Sequence, residues 1–469
     1  MARIKDRCSG LYTVMATVLF LLITGCGSIP KIVPDMATPS RHTVRLAGAD
    51  GPLTHQQSRT ILERLQKDSK ETNIFDRHLA LESQFVTSPL TVGNEVMLLV
   101  DGVSTYEAMF DAIDKAKDHI NMETFIIEDD EIGRQFTKRL IEKQKTGVQV
   151  NLIYDSVGSI MTPREFFTPL IDAGINVLEF NPVSPLNARK AWQVIFRDHR
   201  KLLITDGKVA FVGGINISSV YSSGSIASSA LRKPKAGGHT TEWRDTHLRI
   251  AGPVVSEFQK LFISTWEQQK GEPLKDKDYF PELINMGKEV VRAIGSSPEE
   301  PYSQIYVTLL SAINSAETHI FLTNAYFVPD EQFMSALTYA AQRGVDVRLL
   351  LPEKTDSILV RYASRSYYDE LLLAGVKIYE RQDALLHAKT ALIDGVWSTI
   401  GSTNLDWRSF VNNQEINAVV LGQDFGAQMQ AMFQSDLKLS KQVLLESWRQ
   451  RSIADRIRER AARIWARWL

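Results

Sequence analysis

His199-Arg200-Lys201-Leu202-Leu203-Ile204-Thr205-Asp206 and His387-Ala388-Lys389-Thr390-Ala391-Leu392-Ile393-Asp394 are two copies of one pattern, His-x-Lys-x4-Asp, in a chain of 469 residues. Gly213-Gly214-Ile215-Asn216 follows the first copy and Gly401-Ser402-Thr403-Asn404 the second, and each Asn lies 17 residues after its His. His and Lys are two apart, so on a strand they face the same side. Leu202 to Ile204 and Leu392-Ile393 are apolar, as a buried strand demands. Asp206-Gly207 and Asp394-Gly395 fit a turn at the strand's end.

The repetition extends outward from the motifs. Tyr106, Ala112-Ile113, Ala116 and His119-Ile120 recur as Tyr306, Ala312-Ile313, Ala316 and His319-Ile320, at a constant offset of 200. Gln135-Phe136 and Gly147-Val148-Gln149-Val150 recur as Gln332-Phe333 and Gly344-Val345-Asp346-Val347, and Ala173-Gly174-Ile175 as Ala374-Gly375-Val376. The pattern alternates: strand over 96–100, helix over 106–117, strand over 119–127, helix over 132–145, strand over 148–154. That order predicts a mixed α/β sheet with helices on both faces. Two copies of one α/β unit, packed about a pseudo-twofold axis, follow from the repeat. The junction is expected at Gly295-Ser296-Ser297-Pro298, giving domains over 89–294 and 295–446. His119 and His319 each fall at a helix-to-strand junction and read as structural.

Composition limits the alternatives. Apolar residues make up 44% and charged residues 23%, the balance of a folded globular chain. A formal net charge of −1 argues against a dedicated nucleic-acid binder, so no nucleic-acid partner is expected. The two cysteines, Cys8 and Cys26, give no disulfide framework. Arg3, Lys5 and Arg7 precede a short apolar run, Leu11 to Ile23, and Ile23-Thr24-Gly25-Cys26 resembles a bacterial lipobox whose thiol takes a lipid. Residues 1–26 are thus expected to be a lipoprotein-type signal. An uncleaved anchor helix is the alternative, for which the run is short. Gly27 leaves no retention aspartate after Cys26, which in a Gram-negative host sends the protein to the outer membrane, facing the periplasm. Residues 27–88 read as a tether and an N-terminal helix over 53–70.

The residue types define the chemistry. A phosphodiester repels nucleophiles because its oxygens are negative. Lys201, Lys389, Asn216 and Asn404 offer donors to those oxygens, a cradle that needs neither metal nor cofactor. One neutral imidazole of the pair His199 and His387 can attack phosphorus, and the other can protonate the leaving alkoxide and later deprotonate an incoming alcohol. Neither half alone holds both partners. A histidine held in one tautomer needs an acceptor on its other nitrogen. By position, Asp245 is expected to orient His199, and Glu415 to orient His387. The motif aspartates Asp206 and Asp394 are expected to fix the loop rather than touch substrate.

These residues carry a resemblance to the phospholipase D superfamily, and within it to the bacterial cardiolipin synthases. Further support comes from Phe211-Val212-Gly213-Gly214-Ile215-Asn216-Ile217, Trp243-Arg244-Asp245-Thr246, Tyr326-Phe327-Val328-Pro329-Asp330 and Gly401-Ser402-Thr403-Asn404-Leu405-Asp406-Trp407-Arg408-Ser409-Phe410. The resemblance runs from about Pro89 to Ser447. It implies two phospholipase D-like domains and transfer of a phosphatidyl group between phospholipids. It also implies that His199 is the nucleophile and His387 the acid/base. A phospholipase D using water as acceptor is the nearest alternative, and a nuclease a more distant one. Synthases of the main type carry two N-terminal transmembrane helices, where this chain has a lipobox-like signal.

Two segments suggest contact with lipid. Over 447–469, Ile453, Ile457, Ala461, Ile464, Trp465 and Trp468 recur at helical spacing beside seven arginines. This is expected to be one basic amphipathic helix, lying on an anionic membrane or docked on its own domain. Asn187 to Arg197, with Arg189, Lys190, Trp192 and Phe196, leads into the first motif and fits a lipid entrance or a structural loop. Ser222 to Gly238 reads as a loop at the rim.

Overall fold

The computed structural model describes residues 44–68, 72, 74–183, 193–222 and 242–466. The N-terminal signal with Cys26, the Ser/Gly-rich segment beyond Ser222, and Arg189, Lys190, Trp192 and Trp468 lie outside the described residues.

In the first half the strands are β1 (Leu46–Gly48), β2 (Gly51–Pro52), β3 (Leu90–Leu99), β4 (His119–Thr124), β5 (Gln149–Asp155), β6 (Asn176–Phe180), β7 (Arg197–Asp198), β8 (Lys201–Thr205), β9 (Val209–Gly213), β10 (Trp243–Arg244) and β11 (His247–Ala251). In the second they are β12 (Glu289–Ser296), β13 (His319–Thr323), β14 (Asp346–Pro352), β15 (Lys377–Arg381), β16 (Leu385–Leu386), β17 (Thr390–Ile393), β18 (Trp397–Gly401), β19 (Asn413–Leu421) and β20 (Ser440–Val443). The helices are α1 (His55–Asp68), α2 (Ile74–Glu82), α3 (Gly102–Lys115), α4 (Glu131–Lys145), α5 (Thr168–Asp172), α6 (Val255–Gln268), α7 (Gln304–Ser315), α8 (Glu331–Gln342), α9 (Ile358–Arg365), α10 (Tyr368–Leu373), α11 (Gln423–Lys438), α12 (Leu445–Arg449) and α13 (Ile453–Ile464).

The duplication is visible in strand order. The first half runs β6-β5-β4-β8-β9-β11-β3, and the second runs β15-β14-β13-β17-β18-β19-β12. In each, three parallel strands joined by crossover helices meet an antiparallel set, because only a crossover returns the chain to a parallel neighbour. β12 pairs antiparallel with β3 and joins the halves into one mixed sheet. Even the helix caps repeat: Asp130 accepts from Gly133 N at the start of α4, and Asp330 from Phe333 N at the start of α8, both at 2.9 Å.

The junction differs from the expectation. Gly295 and Ser296 are the last residues of β12, paired with Ile416 and Glu415, so the expected linker begins inside a strand. Their small side chains resemble a linker in sequence, but Cβ at Gly295 would press on Leu261 at 2.5 Å, which marks a packed position instead.

One buried cluster draws on both halves, including Leu202, Val212, Phe258 and Phe262 from the first and Leu386, Leu392, Ile416 and Phe433 from the second. Each such side chain contributes roughly 1.5–3 kcal/mol, so the halves are held together by a shared core. The sheet ends that carry the histidines are fixed by this packing.

Candidate active site

Each motif begins where a two-residue strand from one half pairs with the other half. β7 runs parallel to the start of β19, with Arg197 opposite Asn413 and Asp198 opposite Gln414. The ladder continues one step, as His199 N donates to Gln414 O at 2.9 Å. β10 runs parallel to β16, with Arg244 opposite Leu386, and His387 N donates to Arg244 O at 2.8 Å. The next residues along are Glu415 and Asp245.

The orienting carboxylates are therefore exchanged relative to the expectation. His199 Nδ1 lies 3.0 and 3.1 Å from the Glu415 carboxylate oxygens, and His387 Nδ1 lies 2.6 Å from Asp245 Oδ2. Each histidine is held by the opposite half. The reason is spacing: within a half, β9 separates β8 from β11, and β18 separates β17 from β19. Two strand spacings are ~10 Å, too far for a carboxylate to reach its own half's imidazole. The contacts are reciprocal, as a twofold relation between the halves requires.

Lys201 Nζ donates to His199 O at 2.6 Å, and Lys389 Nζ donates to His387 O. Both lysines are buried. Burial pulls the Lys201 ammonium down to about 7, Glu415 opposing and Lys389 assisting. Lys389 is pulled down to about 8, again by burial, against the attraction of Asp245 and Glu415. The same burial takes the His199 and His387 imidazoles down to about 4 each. Both are thus neutral at neutral pH, with Nδ1–H given to a carboxylate and Nε2 left to accept or attack.

The carboxylates remain ionised. Burial alone would raise Glu415, but His199, Lys201 and the Ser402 hydroxyl outweigh it and hold it at about 2. Asp245 is lowered in the same sense, Lys389 and His387 overcoming burial. The two supports differ in detail. Ser402 Oγ donates to Glu415 Oε2, whereas at the equivalent Gly214 a Cβ would stand 2.3 Å from Asp245 Oδ1. The shorter carboxylate thus occupies space that the longer one leaves to a serine.

The remaining expected residues take distinct places. Asn216 Oδ1 accepts from Ile126 N at 3.2 Å, and its amide donates to Tyr221 OH at 3.1 Å. Among the described residues Asn404 Oδ1 is buried without a hydrogen-bond partner, which leaves a polar atom for a ligand or water to satisfy. Asp206 and Asp394 sit away from the histidines, at the far end of their strands, in turns where Asp and Gly both take positive φ. Asp206 accepts from Lys117, Asp118 and His119 N at 2.7–3.1 Å. Asp394 accepts from Glu317, Thr318 and His319 N at 2.8–3.0 Å. His119 and His319 lie at those same corners, bonded to Asp118 and Thr318. Arg197, read as part of a basic lipid entrance, is buried instead, 2.9 Å from Ser156 Oγ and 3.5 Å from Asp155.

Several site residues were not singled out from sequence. Tyr221 OH lies 3.3 Å from His387 Nδ1, and the Trp243 ring is 5.0 Å from the His387 ring. Phe125 packs edge-on to His199 at 4.9 Å. Tyr326, facing His387 at 6.3 Å, donates to Asp356 at 2.6 Å. Burial raises Asp406, beside the second motif, to about 7. Arg200, with only Ala388 opposite it in the repeat, donates to Glu415 O at 3.2 Å and Thr265 Oγ1 at 2.7 Å, so it helps set Glu415. Aromatic spacing gave no signal for the first four, since they come from loops, a single 3-10 turn and the two-residue β10, too short to show a period.

Comparison with known proteins gives the chain a family. The sequence model of the family described as "Cardiolipin synthase, PLD-like domain" matches residues 109–223 and 309–437, one segment in each half. A cardiolipin synthase of Geobacillus sp. (strain WCH70) is 38% identical over 389 residues, covering 82% of this chain and 74% of that protein. The chain belongs to the cardiolipin synthase family of phospholipase D-like proteins. A second member, a cardiolipin synthase of Geobacillus kaustophilus, is 38% identical over 80% of this chain and 72% of its own. Among solved structures, phosphatidylserine synthase of Haemophilus influenzae shares the fold, with a TM-score of 0.58 at 13% identity over 80% of this chain and 95% of that one. The fold of this cardiolipin synthase-family chain thus recurs at low sequence identity.

Proposed function

We propose that the protein transfers a phosphatidyl group from one phospholipid to an alcohol on another, as the name of its relatives suggests for them. The observation that carries the reading is the pair of crossed histidine–carboxylate dyads beside two buried lysines. In this scheme His199 Nε2 attacks phosphorus and the bond to the departing head-group oxygen breaks. His387, protonated as the anion binds, gives that oxygen its proton, leaving a phosphatidyl–His199 phosphoramidate. His387 then takes the proton of the acceptor hydroxyl, whose oxygen displaces His199. Lys201, Lys389 and the asparagines hold the non-bridging oxygens, and Asp206 and Asp394 hold the corners of the fold. The assignment of His199 as nucleophile follows the family resemblance.

Product analysis tests the reading. Purified protein incubated with labelled phosphatidylglycerol should yield a diphosphatidyl lipid and free glycerol, and phosphatidic acid as sole product would sink transfer in favour of hydrolysis. Anchoring through a lipid on Cys26, in the outer membrane of a Gram-negative host, is supported by the lipobox-like Ile23-Thr24-Gly25-Cys26. Among the described residues no helix is long and apolar enough to cross a membrane. Labelled palmitate should enter the wild-type protein and not Cys26→Ser; equal labelling would exclude that anchor.

A further inference from the structure

The C-terminal segment is not one helix. It breaks at Gln450–Ser452 into α12 and α13, with Ser452 capping the second by accepting from Asp455 N at 3.1 Å. α13 packs against α9 through its polar side: Glu459 and Ala462 are buried, and Arg451 bridges Glu459 and Asp369 at 2.9 and 2.6 Å. The apolar stripe points the other way. At ~100° per residue, Ile453, Ile457 and Ile464 share an arc of about 40°. They are 76%, 63% and 78% exposed, with Trp465 at 52%. A helix docked on its own domain with its charges outward would show the reverse.

Beside this stripe is a cavity of about 330 Å³ lined by Arg449, Arg456, Arg460 and Arg463, with Asp369, Glu370 and Glu459 in the same wall. Among the described residues, no carboxylate lies within salt-bridge distance of Arg449, Arg456 or Arg460. The three carboxylates are engaged by Arg451 and Arg463, so the cavity keeps a net positive charge, next to exposed isoleucines.

The neighbouring elements link this surface to the active-site side of the sheet. Parallel strands β5 and β14 end on the side of the sheet where β8 and β17 begin, the side of the histidines. The segments that follow them carry exposed Ile160 and Met161 in a loop of the first half, and Ile358 and Leu359 at the start of α9 in the second. Ile358 opens α9, the helix under α13, and stands two residues from Asp356 of the site.

We infer that the arginine-lined cavity of α12–α13 binds the phosphodiester of an anionic phospholipid in a bilayer, while the Ile453/Ile457/Ile464/Trp465 stripe enters the interface and holds the active-site mouth against the lipid. The inference rests on the lipid reading of the active site. Charge complementarity selects the occupant: an anionic surface supplies phosphates to the cavity and an apolar layer to the stripe together. Each arginine near such a surface contributes roughly fivefold in affinity, so three contribute on the order of a hundredfold.

The full-length protein is tested with vesicles of phosphatidylcholine alone or mixed with phosphatidylglycerol, using brominated lipid to quench Trp465. Wild type should be quenched much more strongly by the anionic vesicles. Arg449→Gln/Arg456→Gln/Arg460→Gln should weaken this binding about a hundredfold, and Ile457→Asp/Ile464→Asp should abolish the quenching. Arg460→Gln alone, if the triple variant does not fold, should weaken it about fivefold. Quenching equal to wild type in the arginine variants, or equal on neutral vesicles, overturns the inference. So does tight binding of inorganic phosphate that leaves vesicle binding untouched, which would make this a soluble-phosphate site. Turnover of phospholipid in detergent micelles by wild type reads the active site separately: inactivity there with normal vesicle binding would remove the catalytic reading alone.

Discussion

The exchanged dyads make a kinetic prediction that same-half pairing reverses. Glu415 is held at about 2 where an ordinary glutamate sits at 4.5, a preference for the anion of about 3 kcal/mol. Glu415→Gln keeps an oxygen for His199 Nδ1–H and removes the charge that supports the ring as phosphorus bonds to Nε2. The expected loss in forming the covalent intermediate is on the order of 10²-fold. Asp245→Asn removes the same support from His387. A phosphatidyl ester of p-nitrophenol separates the two, because this leaving group departs without a proton donor. Pre-steady-state absorbance should show a burst in wild type and in Asp245→Asn, whose steady rate is slow because His387 cannot deprotonate the acceptor. Glu415→Gln should lose the burst, and so should His199→Ala. A burst kept by Glu415→Gln and lost by Asp245→Asn would refute the crossed arrangement.

Other perturbations follow from the same contacts. Asp394→Ala should lower stability by about 2–4 kcal/mol in urea unfolding, since three backbone N–H groups lose their acceptor, while activity per folded molecule stays near wild type. Gly214→Ala places a methyl 2.3 Å from Asp245 Oδ1 and should cost turnover at least tenfold, whereas Ser402→Ala should cost about 1–2 kcal/mol of stability by removing a donor to Glu415. Lys201 and Lys389 sit at about 7 and 8 when folded and near 10.4 unfolded. Between those values the unfolded chain binds more protons, so stability should rise with pH from about 7 to 10 and be lost as pH falls back. Lys201→Met should flatten that rise in urea titrations at pH 7.5 and 9.5.

How far the sequence was legible depended on whether a feature is local. The strand at Lys201–Thr205, the Asp206-Gly207 turn and the α/β order depend on residues near one another, and hydrophobic period and turn chemistry report them directly. The partner of each histidine is not local. Glu415 lies 216 residues from His199, and only the pairing of β7 with β19 brings it there. Position after the motif suggested the same-half carboxylate because the two halves are alike in sequence; the intervening β9 and β18, which put it out of reach, are visible only once the strands are ordered. The C-terminal segment was legible in part. Its periodicity located the apolar stripe correctly, but Glu459 and Ala462, not the isoleucines, face the domain, and periodicity cannot say which side of a helix finds a partner.

The crossing also explains why one chain carries two motifs that could each come from a separate subunit. Each dyad needs a histidine from one half and a carboxylate from the other, and each is placed by a parallel pairing only two residues long. Pairings so short contribute little by themselves. They hold because β3 and β12 join the sheets and one core spans both halves. Loosening either half should therefore disturb both histidines together: a cavity in the shared core, as Phe262→Ala would leave, should slow both burst and steady rate rather than either alone. The cost of such a cavity, about 3–5 kcal/mol, exceeds what any single dyad contact contributes. Precision at the site should thus depend on the shared core, which would couple the two proposed chemical steps.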